Sequence, residues 1–149
     1  MTTIALRFSD NFAPGNGTIK EHQKVIDEKG YVWYGKLGTP LAPSIIKTLM
    51  ENDQKKILLI HSGKAKRYWA YYSEVKRTLP ELQDIPFYYR DKADSFSTWF
   101  RIVAIEKAPD DVLSMCTVKS SGNTLSNVSR HSMSPYFIIE ERGNQSVED

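Results

Sequence analysis

Short runs of apolar residues, each bounded by glycine, proline or polar residues, recur along the chain and predict β-strands. The run ILLI at residues 57–60 has four consecutive apolar residues, which indicates a strand that is buried on both faces. After the turn-forming residues 62–65 comes RYWAYYSEV, so we predict that residues 56–75 form a hairpin. The predicted strands cover residues 4–8, 31–37, 56–61, 67–75, 87–90, 98–107 and 136–141.

Two segments have a helical rather than an alternating pattern. Thr18 and Glu21 have the spacing of a capping box at the start of the first helix, and Gly30 is a typical residue just after its end. The second predicted helix covers residues 42–51, with Pro43 in the first turn, where a proline is tolerated.

The sequence Pro109-Asp110-Asp111 predicts a third, short helix, because proline and acidic residues both favour a first turn. The polar residues 119–134 that follow are predicted to be a loop.

These elements predict the fold class. The helices do not alternate regularly with the strands, which disfavours a doubly wound parallel sheet. We therefore expect an α+β fold: a curled mixed sheet or pseudo-barrel of six to seven strands with two to three flanking helices. We expect one domain over residues 1–142 and a flexible C-terminal tail over residues 143–149.

Composition narrows the classes of protein. The net charge of +2 is too small for a protein that coats DNA by charge alone, although it allows a local basic patch. The single cysteine, Cys116, cannot form an internal disulfide, and the N-terminus lacks a signal-peptide pattern. The longest apolar run is far too short to span a bilayer, so we expect a cytoplasmic protein without a membrane partner.

The residues that usually carry catalysis form no motif. The three histidines, His22, His61 and His131, lack the spacing of metal ligands, so we expect no cofactor and no metal. A small hydrolase of nucleoside-type or acylated substrates remains an alternative, because catalytic residues can converge from distant positions. Its base and nucleophile would be His61 with Ser62, or His131 with a serine of the polar loop. A protein-interaction component of a defence or toxin system is the other alternative.

Aromatic residues are abundant, with 8 Tyr, 6 Phe and 3 Trp. They cluster as YVWY at residues 31–34, YWAYY at 68–72, YY at 88–89 and WF at 99–100. Because alternate strand residues face opposite sides, residues 68–72 carry rings on both faces, more than one core needs. Basic residues interleave with these clusters, a combination that favours stacking on bases and contact with phosphates.

Over residues 31–141 the chain resembles the PUA-like superfamily, which includes the EVE, ASCH, YTH and SRA-type domains. The resemblance is carried by the strand YVWYGKLG, the hairpin KKILLIHSGKAKRYWAYYSEV, the segment STWFRIVAIEKAPDDVL and the closing PYFII. The chain lacks the Asn-Pro segment of EVE domains and the Gly-x-Lys-x-x-Glu-x-Arg motif of ASCH domains, so the subfamily stays open.

The resemblance implies a pseudo-barrel whose cleft holds one flipped or modified base of DNA or RNA in an aromatic cage, and a protein partner is compatible with it. By position, the candidates for the cage are Trp33, Tyr34, Trp69, Tyr72, Tyr89 and Trp99. Candidates for hydrogen bonds to the base are Ser120, Ser121 and Asn123. Candidates for phosphate contacts are Lys36, Lys64, Lys66, Arg67 and Arg130.

Overall fold

The structure is a computed structural model that describes residues 1–11, 13 and 15–141. The predicted tail at residues 143–149 lies outside the described residues. The strands are β1 (Thr2–Phe8), β2 (Val32–Leu37), β3 (Lys56–His61), β4 (Arg67–Lys76), β5 (Phe96–Lys107), β6 (Cys116–Val118) and β7 (Tyr136–Glu141). The α-helices are α1 (Thr18–Lys29), α2 (Pro43–Glu51) and α3 (Leu125–His131). Short 3₁₀ segments cover Leu82–Asp84, Phe87–Ser95 and Val112–Met115.

The seven strands found among the described residues form one sheet, in the order β2-β5-β4-β3-β1-β7-β6. β1 and β3 pair in parallel, and every other neighbouring pair is antiparallel. Residues 56–61 and 67–76 pair as the predicted hairpin. This mixed sheet with its flanking helices confirms the predicted α+β fold class.

The sheet curls until distant strands meet. The Nζ atom of Lys36 on β2 lies 4.5 Å from the centroid of the Tyr136 ring on β7. Four strands separate β2 from β7 in the sheet order. A flat sheet would hold them about 20 Å or more apart, because neighbouring strands are about 4.8 Å apart. The contact therefore shows how strongly the sheet is curved.

Both faces of the central strands are covered. Ile57 and Leu59 of β3 belong to a core cluster with residues of α1 and α2, whereas Leu58 and Ile60 belong to a cluster with Leu125 of α3. All four strand residues are buried, as the unbroken apolar run predicted.

Among the described residues, no helix has both the length and the apolar character that a membrane crossing needs.

The predicted strand at residues 87–90 is wrong, because Phe87–Ser95 is a 3₁₀ segment with a kink at Lys92. Pro86 precedes the segment, and its carbonyl accepts a hydrogen bond from the N–H of Tyr89 at 2.9 Å, which starts a turn. Tyr89 and Ala93 then pack on Trp33 and Trp99. Tertiary packing overrides the strand preference of the tyrosines here.

The predicted loop at residues 119–134 contains a helix, α3. The Thr124 hydroxyl accepts a hydrogen bond from the N–H of Asn127 at 3.3 Å and caps it. Leu125 is fully buried and Val128 packs against the same cluster. Two apolar residues are enough to bury one face of so short a helix, but they give too weak a pattern for prediction from sequence.

The start of α1 also differs from its prediction. Thr18 is the first helical residue rather than the cap, and the capping box with Glu21 does not form. Instead, the carboxylate of Asp10 accepts a hydrogen bond from the N–H of Thr18 at 2.9 Å. The predicted end is confirmed, because Gly30 has φ 87° and its N–H donates to Ile26 O at 2.7 Å.

Candidate functional site

A cavity of about 650 Å³ opens where the end of β1 meets β2, the 3₁₀ segment Phe87–Ser95 and the chain that leads into β7. We call it the aromatic cavity, because five rings line it. They belong to Phe8, Tyr34, Tyr88, Tyr89 and Phe96. β1 and β2 lie far apart in the sheet order, so the cavity exists only because the sheet curls.

One wall of the cavity is a stacked pair of rings. The centroids of Tyr89 and Phe96 are 4.4 Å apart, with an angle of 28° between the planes. Tyr88 meets Tyr89 edge-on at 5.0 Å. Phe96 lies across Gly35, where a Cβ atom would be only 2.6 Å from its Cγ, so β2 accommodates the ring only because residue 35 has no side chain.

The wall is supported from behind by a buried histidine. The His22 ring lies 4.9 Å from the ring of Tyr34 and 5.0 Å from that of Tyr89. Its Nδ1 is 2.9 Å from the carbonyl oxygen of Thr18, so Nδ1 carries the proton and donates. Burial lowers the pKa of His22 to about 4, so this imidazole is neutral at physiological pH.

The phenols of the cavity stay protonated. Burial raises the pKa of Tyr34, Tyr88 and Tyr89, that of Tyr88 to about 12. The buried hydroxyl of Tyr88 has no hydrogen-bond partner among the described residues. The side chains of Thr18 and Tyr89 lie close enough to the hydroxyl to shift the pKa of Tyr88 by hydrogen bonding, but neither meets the distance and angles of a full hydrogen bond. A buried polar group without a partner is unusual, and a ligand in the cavity could complete its bonding.

Lys36, predicted as a phosphate contact, lies in the cavity wall, and the residue is only 5% exposed. Its ammonium group donates to the carbonyl oxygens of Leu37 at 3.1 Å and Thr39 at 2.6 Å. Burial lowers the pKa of Lys36. The group has three N–H donors, so one makes neither of these two bonds, and the Tyr136 ring at 4.5 Å is a further contact of the ammonium group.

A second cavity of about 430 Å³ adjoins the first and is open and basic. Three of the predicted phosphate contacts, Lys64, Arg67 and Arg130, line it. We call it the basic groove. Arg7 and Ser62 line both cavities, so the groove lies next to the aromatic cavity. The buried Nε of Arg67 has no hydrogen-bond partner among the described residues.

The structure brings only some of the predicted site residues together. Tyr34, Tyr89 and Lys36 line the aromatic cavity. Lys66 is exposed on the turn after β3, beside the basic groove but not in its lining. Tyr88 and Phe96 also line the aromatic cavity, although neither is among the residues predicted for the site. Tyr88 belongs to the aromatic pair at residues 88–89, whereas no pattern in the sequence places Phe96 across Gly35.

The remaining predicted cage residues lie in the core and not in the cavity lining. Trp33 and Trp99 pack in one buried cluster and Trp69 in another, while the Tyr72 hydroxyl donates to Leu49 O at 2.6 Å. The nearby cations are also structural contacts. Lys76 Nζ lies 4.4 Å from the Trp33 ring, and Lys56 Nζ lies 4.1 Å from the Trp69 ring.

The predicted base-edge contacts lie elsewhere. Ser120, Ser121 and Asn123 are exposed in the turn between β6 and α3 and line neither cavity. The turn is closed by its own backbone, with Val118 N–H donating to Asn123 O at 2.8 Å.

The pair His61 and Ser62 does not have the geometry of a hydrolase. Nε2 of His61 lies 2.8 Å from Asp10 Oδ2, and Nδ1 accepts a hydrogen bond from Gly63 N–H at 3.0 Å. Both ring nitrogens are therefore occupied, and neither is available to take a proton from Ser62. His131 is exposed at the end of α3. Within the described part of the chain, no group of three or more His, Cys, Asp or Glu is arranged to hold a metal ion.

Comparison with known proteins identifies the family. The model of the family described as Pua-like matches residues 4–139. No curated protein and no solved structure matches the chain. The family match covers nearly the whole length of the chain, from β1 into β7, and so includes every strand of the curled sheet. The chain therefore belongs to the Pua-like family.

Proposed function

We propose that this protein binds nucleic acid by holding one base in the aromatic cavity while the adjoining sugar–phosphate backbone lies along the basic groove. One observation carries the proposal: the two cavities lie next to each other, since Arg7 and Ser62 line both of them. An aromatic slot beside a basic channel is complementary to one base and its neighbouring phosphates.

The size and the walls of the aromatic cavity fit a planar ring. Its volume of about 650 Å³ falls within the range of about 300–1,000 Å³ that small-molecule sites occupy. The stacked pair Tyr89 and Phe96 offers a flat apolar wall. Stacking of a base on such a side chain contributes about 1–3 kcal/mol and does not depend on which base it is.

Polar groups in the cavity would then orient the base. The Tyr88 hydroxyl lacks a partner among the described residues, and the ammonium group of Lys36 has a third donor beyond its two carbonyl bonds. Both groups can donate to acceptors on the edge of a base, such as a carbonyl oxygen or a ring nitrogen. A base can reach them only after leaving its stack, as it does in proteins that flip a base.

The charge of the lining also favours a polyanion. No aspartate or glutamate lines either cavity within the described residues. Lys64, Arg67 and Arg130 would contact phosphates in the groove, and the exposed Lys66 would contact one at its edge. Arg7 is less available, because its guanidinium group is bonded to carbonyl groups around the end of α3.

The test is binding of labelled single-stranded DNA and RNA of the same sequence, measured by fluorescence anisotropy. Phe96→Leu removes one ring of the stack, and Phe87→Leu is a matched control on an exposed ring of the neighbouring 3₁₀ segment. We expect Phe96→Leu to weaken binding by about 1 kcal/mol or more and Phe87→Leu to leave it unchanged.

A second set of variants tests the groove. Replacing Lys64, Arg67 and Arg130 by Gln should weaken binding to every sequence. The slope of the logarithm of the binding constant against the logarithm of salt concentration should become shallower by about one unit for each phosphate that is no longer bound. Lys20→Gln and Lys47→Gln, on the surfaces of α1 and α2, serve as controls. Binding that is absent, or that does not change with salt concentration, would refute the proposed function.

A further inference from the structure

His61 lies between the two cavities, and within the described residues it is the only histidine that lines the basic groove. Its ring meets the Phe8 ring of the aromatic cavity edge-on, with the centroids 5.0 Å apart. Its side chain is only 10% exposed. Histidine is the residue type whose charge ordinarily changes between about pH 5 and 8, so the charge of the groove can respond to pH at His61.

Hydrogen bonds fix which nitrogen of His61 carries a proton in the free protein. Gly63 N–H can only donate, and its nitrogen lies 3.0 Å from Nδ1, so Nδ1 is the acceptor and the proton is on Nε2. Nε2 then donates to Asp10 Oδ2 at 2.8 Å. The hydrogen bond from Thr18 N–H lowers the pKa of Asp10, and the contact with His61 lowers it further, so Asp10 is a carboxylate at neutral pH.

The charged groups around His61 act in opposite directions. The Asp10 carboxylate, on the loop after β1, favours a second proton on the ring. Cations on the elements around the groove oppose that proton. They are Arg7 on β1, Lys64 and the exposed Lys66 on the turn after β3, Arg67 on β4 and Arg130 on α3. A phosphate group in the groove offsets these cations and adds negative charge beside the ring, and both effects favour the charged imidazole.

An unused donor in the same lining points to an anionic occupant. The buried Nε of Arg67 has no hydrogen-bond partner among the described residues. A buried donor without a partner is unusual, and a phosphate oxygen in the groove would complete its bonding.

We propose that a phosphate group in the groove replaces His61 as the acceptor for Gly63 N–H, and that Nδ1 of His61 takes one proton from solvent as this happens. In the bound state Nδ1–H and Gly63 N–H both donate to phosphate oxygens, while Nε2–H stays on Asp10. One hydrogen bond of the free turn is thus exchanged for two bonds to an anion, which are stronger. This inference rests on the proposed function and names its regulation, because nucleic acid then binds more tightly as the pH falls.

The turn allows this exchange without a change in its other bonds. Ser62 N–H donates to Phe8 O at 2.7 Å, and the main-chain N–H of His61 donates to Lys66 O at 3.0 Å. Neither bond involves the imidazole or Gly63 N–H. The rearrangement is therefore confined to two neighbouring groups that already face each other across 3.0 Å.

Uptake of a proton has a defined effect on affinity. The affinity rises as the pH falls, by up to about tenfold for each pH unit when one full proton is taken up. The rise is limited to the pH range in which His61 is neutral in the free protein and charged in the complex. Outside that range both states carry the same charge. His22 does not contribute, because burial lowers the pKa of His22 to about 4 and the folded protein keeps it neutral.

The experiment is calorimetric titration of the whole chain with a single-stranded DNA and with the RNA of the same sequence, at about pH 6.5. Buffers that differ in their enthalpy of ionisation give the number of protons taken up. We expect the wild type to take up about half a proton or more and His61→Gln less than about a tenth of a proton. His131→Gln changes an exposed histidine that lines neither cavity, and it should match the wild type.

A second measurement on the wild type does not depend on how well His61→Gln folds. The chain has three histidines, so spectra of His22→Phe and His131→Gln identify the ¹⁵N imidazole signals of His61 by exclusion. We expect Nδ1 of His61 to be unprotonated in the free protein and protonated in the complex.

Proton uptake that is absent in the wild type, or equal in His61→Gln, would overturn the inference, and so would an unprotonated Nδ1 in the complex. If DNA or RNA binds without proton uptake, the proton link is refuted and the base-holding function stands. If the wild type binds neither, the proposed function fails together with the proton link.

Discussion

The rings of Tyr89 and Phe96 are stacked, with their centroids 4.4 Å apart, although one belongs to a 3₁₀ segment and the other begins β5. The pair forms because Phe96 lies across the backbone of Gly35 on the neighbouring strand β2. The flat wall of the aromatic cavity thus depends on the absence of a side chain at residue 35.

Gly35→Ala should therefore damage the cavity. The new Cβ would lie 2.6 Å from Cγ and 3.0 Å from Cβ of Phe96, so either the Phe96 ring rotates out of its stack or the backbone shifts. We expect a loss of about 1–3 kcal/mol in the free energy of unfolding and weaker binding of nucleic acid. Denaturant unfolding and anisotropy measure the two effects. Gly15→Ala, where an added Cβ meets nothing within 4 Å, should change neither, and equal effects of the two variants would show that Phe96 does not need the space at residue 35.

Tyr88→Phe should separate stability from binding. The Tyr88 hydroxyl is buried without a partner among the described residues, so its removal should leave the free energy of unfolding unchanged or raise it by up to about 1–3 kcal/mol. The same change should weaken binding, because a donor to the base is lost. The measurements are denaturant unfolding and nucleoside binding by calorimetry. A less stable Tyr88→Phe variant would show that the hydroxyl has a partner in the free protein.

His22 should make the protein less stable in acid. Its pKa is lowered from 6.5 to about 4, because the buried ring resists protonation. Above pH 6.5 both the folded and the unfolded chain hold a neutral imidazole, and His22 adds no pH dependence. Between pH 6.5 and 4 the unfolded chain gains a proton that the folded chain does not, so stability falls by up to about 3 kcal/mol.

The check on His22 is the free energy of unfolding as a function of pH. His22→Phe keeps an aromatic ring against Tyr34 and Tyr89 and should flatten the fall between pH 6.5 and 4. His131→Gln, at an exposed position, should leave that fall unchanged. An unaltered pH profile in His22→Phe would show that the imidazole is not protected from protonation.

Substitution of the buried tryptophans should lower the stability of the fold rather than remove a contact to nucleic acid. Trp99 is 1% exposed and Trp69 is 3% exposed, and neither lines the cavity. Truncation of either residue to alanine should cost about 3–5 kcal/mol through the reduced burial and the void left behind. Thermal unfolding measures the cost. A variant that keeps its stability but no longer binds nucleic acid would show that the tryptophan contacts the base.

The charge of the cavity should discriminate between modified bases. Lys36, Arg7 and Lys92 line it, and no carboxylate does among the described residues. A base that carries a positive charge, such as 1-methyladenine, should therefore bind at least about tenfold more weakly than the neutral N6-methyladenine. Calorimetry with the two nucleosides measures both affinities. Lys36→Met should bring the affinity for 1-methyladenosine closer to that for N6-methyladenosine. Equal affinities would contradict the expected repulsion.

Local sequence was sufficient to predict an element wherever one residue or one short run of residues fixes the conformation of the backbone. Gly30 ends α1 because it adopts a left-handed conformation, and Pro43 opens α2 because it lacks an N–H that the first turn does not need. The run at residues 57–60 predicted a strand buried on both faces, and the family was recognisable from patterns of this kind.

Other features depend on residues that are distant in sequence. The cap of α1 comes from Asp10, which lies eight residues before Thr18. The 3₁₀ segment Phe87–Ser95 forms because Tyr89 packs in one buried cluster with Trp99. Local preference describes a segment in isolation and carries no information about these partners.

The choice of cavity residues was decided by the tertiary structure alone. Strand alternation places Trp33 and Tyr34 on opposite faces of β2, but it cannot say which face opens to a cavity when both are covered by other elements. The curl of the sheet, the missing side chain of Gly35 and the 3₁₀ segment together place Tyr34 at the cavity and Trp33 in the core. The sequence by itself determined that rings and basic residues are plentiful, whereas the curvature of the sheet decided which of them meet.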